Sequence, residues 1–405
     1  MSCMNPDFLV VGGGVIGISV ARELKRRFGS VSVVLIEKEA ACAEHASGRN
    51  SGVLHAGFYY TADSLKARFT RDGNRELTAY CEERGIALRK CGKLVVARDE
   101  SEHAGLDELL ERGRRNGVPL AAIDEGEARE IEPRARTCGR AIFSPTTASV
   151  NPVAVVRRME ADARREGVRI KTGVEYVGRR KGSVFTSAGV YHAGHVVNAA
   201  GLYADRVARH FGFSERYRIL PFKGLYLYSG EPIGAIRTHI YPVPDLRHPF
   251  LGVHLTVAAD GRVKLGPTAI PAFWREQYRG GENFSLRELL DIMYRQCGLA
   301  YSDFGFVRLA WEELQKYSRR RMTALAGELA RELRPEQYRR WGRAGIRAQL
   351  LDIKKRRLEM DFVVEGDERS SHILNAVSPA FTCCLPFARH VVDLIDERTR
   401  RKEAA

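Results

Sequence analysis

Near the start of the chain Gly12-Gly13-Gly14-Val15-Ile16-Gly17 has the spacing G-x-G-x-x-G, and an acid, Glu37, stands about twenty residues further on. These residue types at this spacing suit one task, holding a dinucleotide. Gly12 permits a tight turn, Gly14 lets the backbone approach a pyrophosphate, and Gly17 lets a helix and a strand pack closely. A helix that begins at Val15 and Ile16 would turn its unpaired N–H groups and partial positive charge on the phosphates. Glu37 can accept hydrogen bonds from a ribose diol and would repel a 2′-phosphate.

The loop works only if flanking elements hold it. Asp7-Phe8-Leu9-Val10-Val11 is a short branched apolar run, read as a buried parallel strand. Ile16, Val20 and Leu24 recur at helical spacing, and Val31 to Ile36 is a second buried strand ending on Glu37. A glycine loop between strand and helix, closed by that acid, is far more specific than the loop alone.

The chain has 405 residues, enough for two domains, with 44% hydrophobic and 28% charged residues, as in ordinary globular proteins. No apolar run approaches the ~20 residues that span a bilayer. The start, Met1 to Pro6, lacks the charged and apolar regions of a signal peptide, so a cytoplasmic location is expected. The eight cysteines form no C-x-x-C pair and no zinc-spaced cluster, so free thiols and no metal are expected. The net charge of +15 has no nucleic-acid motif beside it, which leaves anionic substrates or a membrane surface as its partners.

After Glu37 and Lys38 comes Ala46-Ser47-Gly48-Arg49-Asn50-Ser51-Gly52-Val53-Leu54-His55-Ala56-Gly57-Phe58-Tyr59-Tyr60, a small-residue loop closed by aromatics. A helix is expected from Ser64 to Ile86 and a strand at Lys93–Ala97. Further strand and helix patterns follow, with His195-Val196-Val197-Asn198-Ala199-Ala200-Gly201 running as a strand into a small-residue turn. From Tyr217 the pattern becomes short strands at 219–228, 240–244, 250–256 and 263–267, expected as an antiparallel sheet. Residues 285–343 read as long, helical and basic.

The segment Phe8–Ala97 resembles the FAD-dependent D-amino-acid-oxidase-like superfamily. Within it, the run Ser47–Gly57 with Tyr59-Tyr60, Ser64-Leu65-Lys66-Ala67 and Cys91-Gly92-Lys93-Leu94 resembles the L-2-hydroxyglutarate dehydrogenase/oxidase family. The resemblance implies an α/β (α+β) fold, a Rossmann-type FAD-binding domain with a discontinuous substrate domain built on an antiparallel sheet that roofs the active site. The expected boundaries are 1–90, 145–215 and 344–405 for FAD, and 91–144 and 216–343 for substrate. It adds to the glycine loop, Glu37 and Lys38 a set of residues beside FAD: Arg49, Asn50, Ser51, Val174, Ala199, Ala200, Gly201, Ser378, Pro379 and Thr382. Leu225 and Thr268 depart from the acid and Asn common in relatives, and both are expected in strands facing substrate.

Oxidation of a 2-hydroxy acid needs a hydride acceptor, a base for the hydroxyl proton and cations for carboxylates. His254, in a G-V-H-x-T segment that matches the family, is the expected base. Arg347, in the family's R-A-Q segment, is expected to grip the α-carboxylate by two parallel bonds. Lys223 and Tyr60 are candidates for the distal carboxylate, Tyr241 for a further substrate contact, and His55 completes the catalytic set, through a polar contact to flavin or substrate in the favoured reading and through covalent attachment to the flavin, as in some related amine dehydrogenases, in the other. The resemblance implies oxidation of L-2-hydroxyglutarate or a close 2-hydroxy acid, with electrons passed to a quinone or oxygen; residues 285–343 read first as a solvated helical hairpin capping the substrate domain, and the resemblance adds the alternative of an amphipathic surface resting on anionic lipid. Competing readings are an amino acid or glycerol 3-phosphate as substrate, or a non-catalytic flavin-binding protein.

Overall fold

The computed structural model describes residues 3–246, 251–302 and 304–403. The chain divides into two compact units, 1–50, 152–221 and 347–405 in the first, and 51–151 and 222–346 in the second. Segments 51–90 and 145–151, expected with the dinucleotide loop, thus fall in the second unit. There, strands Val53–Leu54 and Leu88–Arg89 both pair with Ala148–Val150.

The first unit is built on a sheet of order Arg169–Lys171, Val33–Ile36, Phe8–Val11, His195–Asn198, Ser370–Ile373 and Val364–Gly366. All neighbours are parallel except the last pair. Val10 lies between Leu35 and Val197 in register. The strands are continuous apolar runs because both faces are covered, the usual state of a parallel sheet. Helix Val15–Phe28 leaves the end of Phe8–Val11 and buries Ile18, Val20, Ala21 and Leu24. It packs against helices Pro152–Arg165 and Ala380–Glu403. Buried Arg22 joins the first of these through Glu166 at 2.7 Å and Asp162 at 3.7 Å. A second, four-stranded sheet contains the meander Tyr176–Arg180, Ser183–Thr186 and Gly189–Tyr191.

The second unit holds an eight-stranded sheet of order Tyr338–Trp341, Leu227–Ser229, Val263–Gly266, His254–Val257, His239–Pro242, Lys93–Val96, Arg140–Ser144 and Ala121–Asp124. It is antiparallel apart from one pair: His239–Pro242 runs parallel to Lys93–Val96. The strands expected to pair antiparallel do so, and the parallel pair joins them to Lys93–Val96, a strand distant in sequence whose direction no hairpin fixes. Helix Leu65–Glu83 starts where expected, its N-terminus capped by the Ser64 hydroxyl accepting from Ala67 N–H.

Residues 285–343 are not wholly helical. Helices Leu286–Ser302, Phe304–Gln315 and Arg319–Gly327 are followed by the strand Tyr338–Trp341. The strand expected from Phe250 begins at His254, and Phe250 lies outside the described residues. The run expected as one strand to Tyr228 breaks after Gly224, giving Tyr217–Gly224 and Leu227–Ser229.

Leu225 therefore lies in a break rather than a strand, and Thr268 lies between Val263–Gly266 and Ile270–Pro271. The two are fastened together. Leu225 N–H donates to Thr268 Oγ1 at 3.0 Å, and that hydroxyl donates to the Lys223 carbonyl at 2.8 Å. The two departures from the family pattern form one turn contact, with Thr268 buried and Leu225 half-buried.

Candidate functional site

In the first unit the glycine loop is a tight backbone cradle. Gly12 has φ +113°, and a Cβ there would lie 2.5 Å from the Ala199 carbonyl oxygen. At Gly17 a Cβ would meet the Gly12 carbonyl oxygen at 2.0 Å. Both approaches are to backbone, so neither position can accept a side chain unless the loop moves. Helix Val15–Phe28 has no acid in its first turn, so its positive end is not neutralised from within. Ser47, absent from the expected set, takes one of the end's N–H groups: Val15 N–H donates to its Oγ at 2.9 Å.

Glu37 is anchored at the tip of its strand. Its carboxylate accepts Gly13 N–H at 2.7 Å and Glu39 N–H at 2.9 Å, one bond to each oxygen. Each oxygen keeps a lone pair for a ribose hydroxyl. The Glu37 carbonyl accepts Val174 N–H at 2.8 Å, which ties Val174 to the cradle. Lys38 pairs with Glu39 at 2.7 Å. Arg49 donates to the Glu44 carbonyl, and Asn50 to the carbonyls of Ala46 and Ser47, so both shape the loop around themselves. Ala199 N–H bonds the Val11 carbonyl at 2.9 Å, bringing the Ala199–Gly201 turn beside Gly12. Ser378 and Pro379 lead into helix Ala380–Glu403, in which Thr382 is fully buried. Arg347 is half-buried on strand Gly345–Asp352. A cradle that side chains would fill, an uncompensated helix N-terminus and a fixed carboxylate together fit an adenine dinucleotide with a free ribose diol.

The second unit carries the polar cluster. Along its large sheet Leu94, Val96, Ile240, Leu255, Val257, Val263 and Leu265 pack into one hydrophobic core. Side chains alternate along a strand, so Lys93, His239, Tyr241, His254, Thr256 and Lys264 point to the opposite face. All six are at most 5% exposed. A buried sheet face made of Lys, His, Tyr and Thr is the informative departure from an aliphatic core.

His254 sits within this face. Its Nδ1 lies 3.0 Å from the Gly252 carbonyl oxygen, which can only accept, so Nδ1 carries the proton and Nε2 is the acceptor. Its ring stacks on Tyr241 with centroids 3.7 Å apart and planes at 20°. Burial, and after it the positive charge of Lys93, pushes its pKa down to about 3. The Lys93 ammonium has no hydrogen-bond partner among the described residues and lies 4.8 Å from the Tyr59 ring and 4.5 Å from that of Tyr241. Burial lowers its pKa to about 7. Lys264 donates to the Ser51 carbonyl at 2.9 Å, lies 4.7 Å from the Tyr226 ring, and has its pKa lowered to about 8 by burial.

His239 is a satisfied structural histidine. Its Nδ1 accepts Val257 N–H at 3.1 Å, and its Nε2 meets Ser149 Oγ at 3.3 Å and Cys91 Sγ at 3.4 Å. His254 and Tyr241 are thus brought together. Lys223 is also buried, and burial lowers its pKa. His55 and Tyr60 are half-buried on the loop before helix Leu65–Glu83. Lys93, Lys264 and Tyr59 were missing from the expected set. The signal for the two lysines was available, since each sits one residue from a core leucine on a strand.

A family model described as FAD dependent oxidoreductase (DAO) matches residues 7–394. The mitochondrial L-2-hydroxyglutarate dehydrogenase of Nematostella vectensis is 36% identical over 429 residues, covering 97% of this chain and 91% of that protein. The L-2-hydroxyglutarate dehydrogenase of Escherichia coli K12 is 35% identical, covering 96% and 93%. The fold is shared with the FAD-bound L-alpha-glycerophosphate oxidase of Mycoplasma pneumoniae, at TM-score 0.77 and 22% identity over 98% of this chain and 95% of that one. With the cradle shaped as described, the chain belongs to the FAD-dependent oxidoreductase (DAO) family, in its L-2-hydroxyglutarate dehydrogenase branch, and FAD is its dinucleotide.

Proposed function

We propose that the chain oxidises the 2-hydroxyl of L-2-hydroxyglutarate, or a close 2-hydroxy acid, to the 2-oxo acid. The observation that carries this reading is the cationic sheet face. Lys93, Lys264 and His254 are buried on it, and the charges that act most on His254 are Lys93, Lys264 and Lys316, all cationic. A dicarboxylate brings the negative charge that such a face lacks. Bound FAD supplies the two-electron acceptor that takes the substrate's Cα hydride. His254 Nε2 accepts the hydroxyl proton, and Gly252 holds the ring in the tautomer for which that atom is free to do so. A low pKa in the ligand-free protein keeps the imidazole unprotonated, and a bound carboxylate raises its affinity for the proton when needed.

Arg347 suits the α-carboxylate by its planar fork, with Lys223 and Tyr60 serving the distal one. The first unit is the FAD-binding domain and the second the substrate domain. The test is anaerobic flavin bleaching with L-2-hydroxyglutarate, a neutral amino acid and glycerol 3-phosphate. Fastest bleaching by the hydroxy diacid supports the assignment, whereas fastest bleaching by either of the others overturns the substrate and leaves the family intact.

Electrons pass on to a membrane quinone or to oxygen, and the region 285–343 provides the membrane contact. No helix among the described residues is long and apolar enough to cross a membrane. Helix Leu286–Ser302 buries Ile292 and Leu299 but leaves Leu286, Leu290, Tyr294 and Tyr301 each more than half exposed, as is Trp311 on the next helix. Arg319, Arg320 and Arg321 follow. Exposed apolar stripes beside basic residues suit an anionic bilayer surface.

A further inference from the structure

Lys93 is fully buried, and its ammonium nitrogen has no hydrogen-bond partner among the described residues. Such a group is costly to keep. Packing does not require it, because the same box of Phe58, Tyr59 and Tyr241 would hold an apolar chain of equal length. The ammonium is 4.5 Å from the Tyr241 ring centroid, and the His254 ring stacks on Tyr241 with 3.7 Å between centroids. Lys93 is therefore no farther from the imidazole than those two distances laid end to end. Strand Lys93–Val96 pairs directly with His239–Pro242, which pairs with His254–Val257, so the backbone fixes this order of side chains.

We propose that Lys93 is a positioning residue for His254, its sealed ammonium acting through the Tyr241 ring to hold that imidazole in the neutral, Nε2-accepting form. This rests on the reading of His254 as the base. The other titratable groups around His254 are Tyr241 and His239 on the neighbouring strand His239–Pro242, Lys264 on the strand that pairs with its other edge, and Lys316 after helix Phe304–Gln315. Lys93 differs from Lys264 in having no partner to offset its charge, since Lys264 bonds the Ser51 carbonyl.

The order of protonation follows. As pH falls, Lys93 takes a proton at about 7, well before His254 at about 3. The first proton opposes the second, so acidification charges the lysine and spares the base. Lys93 loses its proton in the folded state well below its ordinary value of 10.5. Stability from this group accordingly rises with pH between about 7 and 10.5 and is absent below that window.

The test uses the yellow, FAD-loaded protein and the variants Lys93→Met, Lys93→Arg and His254→Ala. Met is an unbranched apolar chain one atom shorter and removes the charge. In Lys93→Met the acid limb of kcat/KM for flavin reduction should move to higher pH by about one to two units, the size expected of charges about 8 Å apart at an effective dielectric of about 20. The histidine NMR signals, assigned with His254→Ala, should show the same upward shift without any turnover. Thermal stability should be unchanged or raised near pH 7, and Lys93→Arg should return the limb toward the parent value. A limb and a His254 titration both unmoved in Lys93→Met would overturn the proposal, as would a lowered melting temperature with no titration shift, which marks a purely structural lysine. Flavin reduction unaffected by His254→Ala would instead remove the base reading itself.

Discussion

At the scale of single residues, the chemistry turns on what each side chain is allowed to do by its neighbours. The Gly252 carbonyl decides the tautomer of His254, and burial, followed by the nearby cations, keeps its ring neutral. His254→Ala should leave FAD bound and slow its reduction by substrate by about 10²–10⁴-fold, the range of a general base; stopped-flow absorbance under anaerobic conditions measures it, and an unchanged rate would move the role elsewhere. His254 was proposed from its residue type and surrounding segment, and what the structure adds is its place on a buried strand beside Tyr241. Lys93 was read as the start of a strand and as part of a resemblance. The role proposed for it depends on two strands far apart in sequence being adjacent, which no local pattern reveals. Ser47 escaped notice for the same reason: its partner, Val15 N–H, is thirty-two residues earlier.

At the scale of elements, the opening strand–loop–helix was the most legible part of the chain. Its glycines are dictated by contacts that admit no Cβ, and the acid closes it by two backbone bonds. Gly17→Val should abolish FAD retention, because its Cβ would meet the Gly12 carbonyl within bonding range and displace the loop. The flavin-to-protein absorbance ratio checks this, and a normal ratio would refute the role of the close approach. Residues 285–343 were less legible, since basic composition and scattered leucines gave the helices but concealed the strand Tyr338–Trp341. Leu290→Glu with Trp311→Glu should reduce co-sedimentation with anionic phospholipid vesicles several-fold while leaving flavin content unchanged. Equal sedimentation of the parent and the variant would remove the membrane contact.

At the scale of the whole molecule, sequence and structure agree on a fold of mixed helices and strands belonging to FAD-dependent oxidoreductases. The alternation of short strand runs disclosed the second sheet, but not its one parallel pair or its order, because these are set by long-range pairing. A positive balance of +15 and a buried face bearing two lysines both favour an anionic substrate. The base and carboxylate grip proposed above would present only one Cα hydrogen for transfer, so the proposed reaction must distinguish mirror images. The most direct measurement is anaerobic reduction of the bound flavin by the two enantiomers of 2-hydroxyglutarate, followed at the flavin's visible absorbance. L-2-hydroxyglutarate should bleach it and the D-enantiomer should leave it oxidised; bleaching by the D-enantiomer at the same rate, or by neither, would contradict the proposed reaction.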